Sequence, residues 1–169
     1  TIRIGSAGSY VTIAGQTAPG GGVQLKNHGI YISNGAHDVI IRHLKQRTGT
    51  DHNPVDINNE CDGIYVTGQT THDVIIDHAS IEWVCDDSTN LYAGARNITV
   101  QWSLIGEGLT SADYTGANSK GGIFAGGTTD GSLHHNLFVH MGSRNPLAGG
   151  NSNNTGQTVF DFRNNVVYN

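Results

Sequence analysis

Two aspartates, two cysteines and two cations are spaced so that they could serve one chemical task. Asp62 and Asp86 are 24 residues apart, and Cys61 and Cys85 repeat that spacing. If the chain coils with this period the two carboxylates stack, and stacked carboxylates repel unless a cation or a shared proton lies between them. Calcium suits such a site because it takes roughly 6–8 oxygen ligands at about 2.3–2.6 Å and tolerates irregular geometry. Asn90, Asp87 and Glu60 stand close enough in sequence to add oxygens, whereas no His/Cys set has the spacing of a structural zinc site. A solvated acidic turn is the plain alternative. Lys120, in "SKGG", and Arg144, in "GSRNPL", place cations further along the same face. Stacked carboxylates followed by a lysine and an arginine suit an anionic polymer: a metal ion bridges protein and substrate carboxylates while the cations take up developing charge. At one rung of separation Cys61 and Cys85 are within reach of a disulfide, the alternative being two buried thiols.

Everything above requires an element that turns sequence period into distance. The stretch "HDVIIDHASIEW" at 72–83 repeats the opening of "HDVIIRHLKQR" at 37–47. The same pattern centres on Ile13, Ile41, Ile76, Val100, Leu133 and Phe162, at intervals of 24 to 35 residues. Each unit is β-branched and alternates with period two, so Val74 and Ile76 face one way and Ile75 and Asp77 the other. Repeats of this size belong to stacked architectures in which one unit cannot bury its own apolar face. The alternation excludes helical repeats, and the leucine spacing of leucine-rich repeats is missing. A parallel β-helix of about six coils remains, with Gly/Asn/Thr turns such as "TGQTTH" and "AGARN" between short strands. Equivalent residues of adjacent coils then lie about 4.8 Å apart. Asn136 and Asn165 fall in one column and are expected to form an amide ladder. His43, His78, Trp102, His135 and Asn164 fall in another, either stiffening a turn or serving a ligand.

Composition agrees. Among 169 residues there are 24 glycines, three prolines and one methionine, which favours turns and strands over helices. A net charge of −5 leaves no basic footprint for nucleic acid. No apolar run approaches the roughly 20 residues of a membrane span. Residues 1–169 are expected to form a single β-helix domain; the absence of a capping helix at either end raises the alternative of a fragment of a longer enzyme.

The strings "CDGIYVTGQTTHDVIIDHASIEWVCDDSTNLYAGARNITVQWSLI", "SKGGIFAG" and "LHHNLFVHMGSRNPL" resemble the core of the pectate lyases of polysaccharide lyase family 1, which fold as right-handed parallel β-helices. "VTIAGQTAPGGG" is similar to their early coils and "DFRNNVVYN" to a later one. The resemblance implies calcium held at Asp62, Asp86 and Asn90, the last offering an uncharged oxygen. It implies substrate binding by Lys120 and Arg144, with Arg144 also taking the proton. The implied reaction is β-elimination on α-1,4-galacturonan: the metal acidifies the C5 proton of a uronate, and a C4–C5 double bond forms in the new end. A secreted or periplasmic monomer acting on polygalacturonate or pectin, with no nucleic-acid or membrane partner, is the expectation. Two alternatives stand beside it, a β-helical polygalacturonase-type hydrolase using paired carboxylates and a non-catalytic glycan-binding β-helix.

Overall fold

The structure, a computed structural model, describes residues 1–49, 62–110, 119–149 and 157–168. The first coil is β1 (Ile2–Ile4), β2 (Val11–Ala14) and β3 (Val23–Lys26); the second is β4 (Ile30–Ile32), β5 (His37–Arg42) and β6 (Leu44–Arg47). The third is β7 (Ile64–Thr67), β8 (His72–Asp77) and β9 (Ser80–Glu82), and the fourth is β10 (Asp87–Tyr92), β11 (Arg96–Gln101) and β12 (Leu104–Gly106). The fifth is β13 (Lys120–Phe124), β14 (Thr129–His134) and β15 (Leu137–Val139); β16 (Leu147–Ala148), β17 (Phe160–Arg163) and β18 (Val166–Tyr168) form the sixth. Every strand pairs in parallel with its equivalent in the neighbouring coil, giving three six-stranded sheets. The chain is a right-handed parallel β-helix of about six coils; among the described residues the helical elements are two single 3-10 turns, at Ser6–Gly8 and Gly15–Thr17.

The repeat dictates the core. Ile13, Ile41, Ile76, Val100, Leu133 and Phe162 pair rung by rung along the second sheet. The middle four are fully buried, and each such side chain contributes about 1.5–3 kcal/mol. Ile75 points outward and is exposed, as the alternation demands. Asp77 also points outward yet is buried, because Arg42 and Gln101 donate to its carboxylate at 3.0 Å each and His78 closes over it.

From the second coil onward, one or two residues turn each second-sheet strand into its third-sheet strand. His43, His78, Trp102, His135 and Asn164 all take left-handed backbone, with φ between 50 and 58°, a conformation costing about 1–3 kcal/mol in a non-glycine residue. Neighbours offset that cost: His43 stacks on His78, His78 on Trp102 and Trp102 on His135. In the last two coils the residue after the corner is an asparagine and adds a ladder. Asn136 Nδ2 donates to the Val100 carbonyl at 2.9 Å, Asn165 Nδ2 does the same to Leu133 at 2.8 Å, and Asn136 donates to Asn165 at 3.0 Å.

The connections from the third sheet back to the first differ most in length, spanning 27–29, 48–63, 83–86, 107–119 and 140–146. They account for the uneven sequence intervals, and they deliver to one flank of the first sheet the residues that could do chemistry.

Candidate metal and substrate site

Asp62 precedes β7, Asp86 precedes β10, and Asp87 opens β10. Each offers a carboxylate oxygen, and the three oxygens lie within 4.8 Å of one another. Register decides which pair is level. β10 pairs β7 through Thr89 and Ile64, so Asp87, not Asp86, stands over Asp62, and the Asp87 N–H donates to Asp62 Oδ1 at 3.0 Å. Counting back from Ile76 and Val100 misses this by one residue. The cause is local: four residues, 68–71, join β7 to β8, and only three, 93–95, join β10 to β11. Asp86 is the half-buried outer member of the cluster instead of the stacked one.

Two cations reach the same point. Lys120 opens β13 level with Asp87, and its Nζ is ion-paired with Asp86. Ser143 bridges Lys120 one coil further on, and Gly121 and Gly122 donate to the carbonyls of Ser143 and Arg144 at 2.9 and 2.7 Å. Arg144, itself left-handed at φ 55°, then reaches back to Asp87, donating from Nη1 to Oδ2 at 2.7 Å. The close approach depends on Gly121, where a Cβ would meet the Arg144 carbonyl oxygen at 2.6 Å and Asn145 Oδ1 closer still.

The electrostatics are under-compensated. Burial, and then the charges of Asp86 and Asp87, push the Asp62 carboxyl well above the ordinary aspartate value of 3.8. Asp87 is raised as well, again chiefly by burial, which outweighs the neighbouring Arg144. Buried oxygens also lack partners: Asp87 Oδ1, Ser88 Oγ and Asn90 Oδ1 make no hydrogen bond. A converging, oxygen-only donor set with unsatisfied buried oxygens is what a hard divalent cation requires. Asn90 lies three residues beyond Asp87, in the outer row of the first sheet between Tyr65 and Ile123. Glu60 and Cys61 lie outside the described residues; Cys85 is fully buried and disulfide-bonded.

The sequence reading did not pick out the tyrosines of this face. Tyr31 and Tyr65 stack with ring centroids 5.1 Å apart, and the Arg3 guanidinium lies 4.9 Å over Tyr31. The repeated strings "GIYI" and "GIYV" carry the signal for that row. Tyr65 is half-buried beside the carboxylates, its hydroxyl pushed up by burial first and by Asp62 among the charges.

No family model matches the chain. Among curated proteins, probable pectate lyase C of Emericella nidulans is 37% identical over 161 residues, covering 94% of this chain and 32% of that protein. Probable pectate lyase C of Aspergillus terreus is 35% identical over 159 residues and that of Neosartorya fischeri 37% over 161, with the same coverage. The chain is homologous to these proteins. It spans about a third of their length, and it carries the Asp62, Asp86, Asp87, Lys120 and Arg144 cluster within that span.

Proposed function

We propose that the chain carries the catalytic face of a calcium-dependent pectate lyase that cleaves α-1,4-galacturonan by β-elimination. The observation that carries this reading is the meeting of three carboxylates and two cations at one edge of the first sheet, in a homologue of proteins named for that activity. Asp62, Asp86 and Asp87 would hold the cation, and Asn90 Oδ1 is an uncharged oxygen without a partner on the same strand as Asp87. When bound, the ion supplies electron withdrawal at a uronate carboxylate and so acidifies the neighbouring C5 proton.

The chain's own residues do the rest. Lys120 faces the carboxylate cluster from the next coil and neutralises the substrate carboxylate as it becomes enolate-like. Arg144 in its neutral form, favoured by the adjacent Lys120 charge, takes the C5 proton; the electron pair forms the C4–C5 double bond as the C4–O4 bond breaks, and O4 leaves with a proton from water. While Nη1 donates to Asp87 it is not available as an acceptor, so Arg144 must exchange Asp87 for substrate. Asp87 would release Arg144 on turning its carboxylate to the cation, which would couple metal loading to exposure of the base. The Tyr65 ring beside the cluster offers an apolar surface to a sugar. The disulfide at Cys85 fits an oxidising compartment, in keeping with secretion.

The deciding experiment incubates the chain with polygalacturonate, with and without a chelator, and follows ultraviolet absorbance of the unsaturated uronide. Chelator-sensitive absorbance is expected. New reducing ends without absorbance would assign a hydrolase, and no cleavage would assign a glycan-binding module. Gly121→Ala tests the positioning of Arg144. It is expected to slow elimination by about 10²-fold, the scale set by a displacement near 1 Å, while calorimetry finds calcium binding retained or tightened, as the displaced Arg144 pairs less closely with Asp87.

A further inference from the structure

We propose that His43 and His78, backed by Asp77, form a second metal site, for a late first-row divalent ion of the nickel, copper or zinc class. Both histidines stand at the corner between the second and third sheets, on adjacent coils. The carboxylate cluster lies elsewhere, where the third sheet leads back to the first. Register places the two rings face to face, with centroids 4.8 Å apart and planes 27° from parallel. A nitrogen of each ring and an Asp77 oxygen lie within 4.8 Å of one another.

Asp77 fixes the tautomer. Its carboxylate is buried and clamped by Arg42 and Gln101, and it lies 2.7 Å from His78 Nδ1. Arg42 and Gln101 both donate to Asp77, so its carboxylate is the acceptor at this point; His78 donates from Nδ1 and keeps the Nε2 lone pair for a ligand. A carboxylate behind an imidazole is the arrangement that orients metal-binding histidines.

The second ring is ready as well. Neither nitrogen of His43 has a hydrogen-bond partner among the described residues, and the ring lines an open depression with His78, Ser80 and Lys45. Lys45 does not compete, because its Nζ is held at the Gly21 carbonyl at 2.8 Å. Two imidazoles with water filling the remaining positions select nickel, copper or zinc over calcium. His37 and His72 provide a contrast: they stack at 5.1 Å, but both rings are engaged by their own aspartates, where His43 is not, and no third ligand atom converges on the pair.

Trp102 reports on the site. Its indole is half exposed and stacks on His78 with centroids 6.2 Å apart, so a paramagnetic ion held there quenches its emission. The whole chain, with calcium in excess to occupy the carboxylates, is titrated with Ni²⁺ and followed by tryptophan emission and by calorimetry. One ion per chain with quenching is expected. His43→Gln and His78→Gln should each weaken binding by at least about tenfold, while His37→Gln leaves it unchanged. Trp102→Phe should abolish most of the optical signal yet retain the heat of binding. Nickel binding indifferent to both His43→Gln and His78→Gln, or no nickel uptake by the folded wild-type chain, overturns the proposal.

Discussion

Arg144→Lys is expected to lower the rate of unsaturated uronide formation by roughly 10²–10⁴-fold, the usual contribution of a positioned base. Lysine keeps the charge but not the reach or the planar geometry with which Arg144 spans from the sixth coil to Asp87 in the fourth. Arg144→Ala should be as inactive, and it should also change calcium affinity in the opposite direction from an ordinary site mutation. Arg144 and Lys120 act as counter-cations for Asp87 and Asp86, so an incoming divalent ion competes with them. Removing Arg144 is therefore expected to tighten calcium binding by roughly tenfold, equivalent to about 1.4 kcal/mol. Initial rates and calorimetry on the same preparations separate the two effects. If Arg144 only braced the fold, both quantities would fall together.

That competition could not be read from the sequence, although most of what surrounds it could. Period-two alternation about Ile41, Ile76, Val100 and Leu133 specifies the second sheet residue by residue, because a slip of one position would turn every buried side chain outward. The His43-to-Asn164 column and the Asn136–Asn165 ladder follow from the same register. Asp87 escaped for a related reason. A repeat transmits register faithfully only within one sheet, and the connection between β10 and β11 is one residue shorter than its counterpart a coil earlier. Counting back across it therefore lands on Asp86, the outer carboxylate, and leaves Asp87 as a mere neighbour. The reach of Arg144 was hidden differently: it depends on a side chain crossing coils and on the missing Cβ at Gly121, neither of which a repeat encodes.

Asp62→Asn is expected to stabilise the metal-free protein and to abolish its response to calcium. The native state holds the Asp62 proton more tightly than the unfolded chain does, because burial and the charges of Asp86 and Asp87 raise its pKa above 3.8. A group raised on folding contributes stability that is complete below its unfolded value and is lost as pH climbs through its folded value. Asp87 acts in the same direction. The chelated wild-type protein should therefore melt at progressively lower temperature as pH rises from mildly acidic towards neutral, the reverse of a protein whose carboxylates are well paired. Calcium at about 100 times its dissociation constant adds about 2.7 kcal/mol and should raise the melting temperature by roughly 5–10 °C, most clearly at the neutral end, where the carboxylates are ionised. An asparagine at this position cannot ionise, and its amide oxygen still accepts the Asp87 N–H, so the variant keeps the backbone contact while removing the desolvated charge. Its melting temperature should exceed that of the chelated wild type at neutral pH, vary less with pH, and shift little with calcium. Thermal melts at several pH values, with and without the ion, give all three readings. A full calcium-induced rise in the variant would place the cation somewhere other than over Asp62.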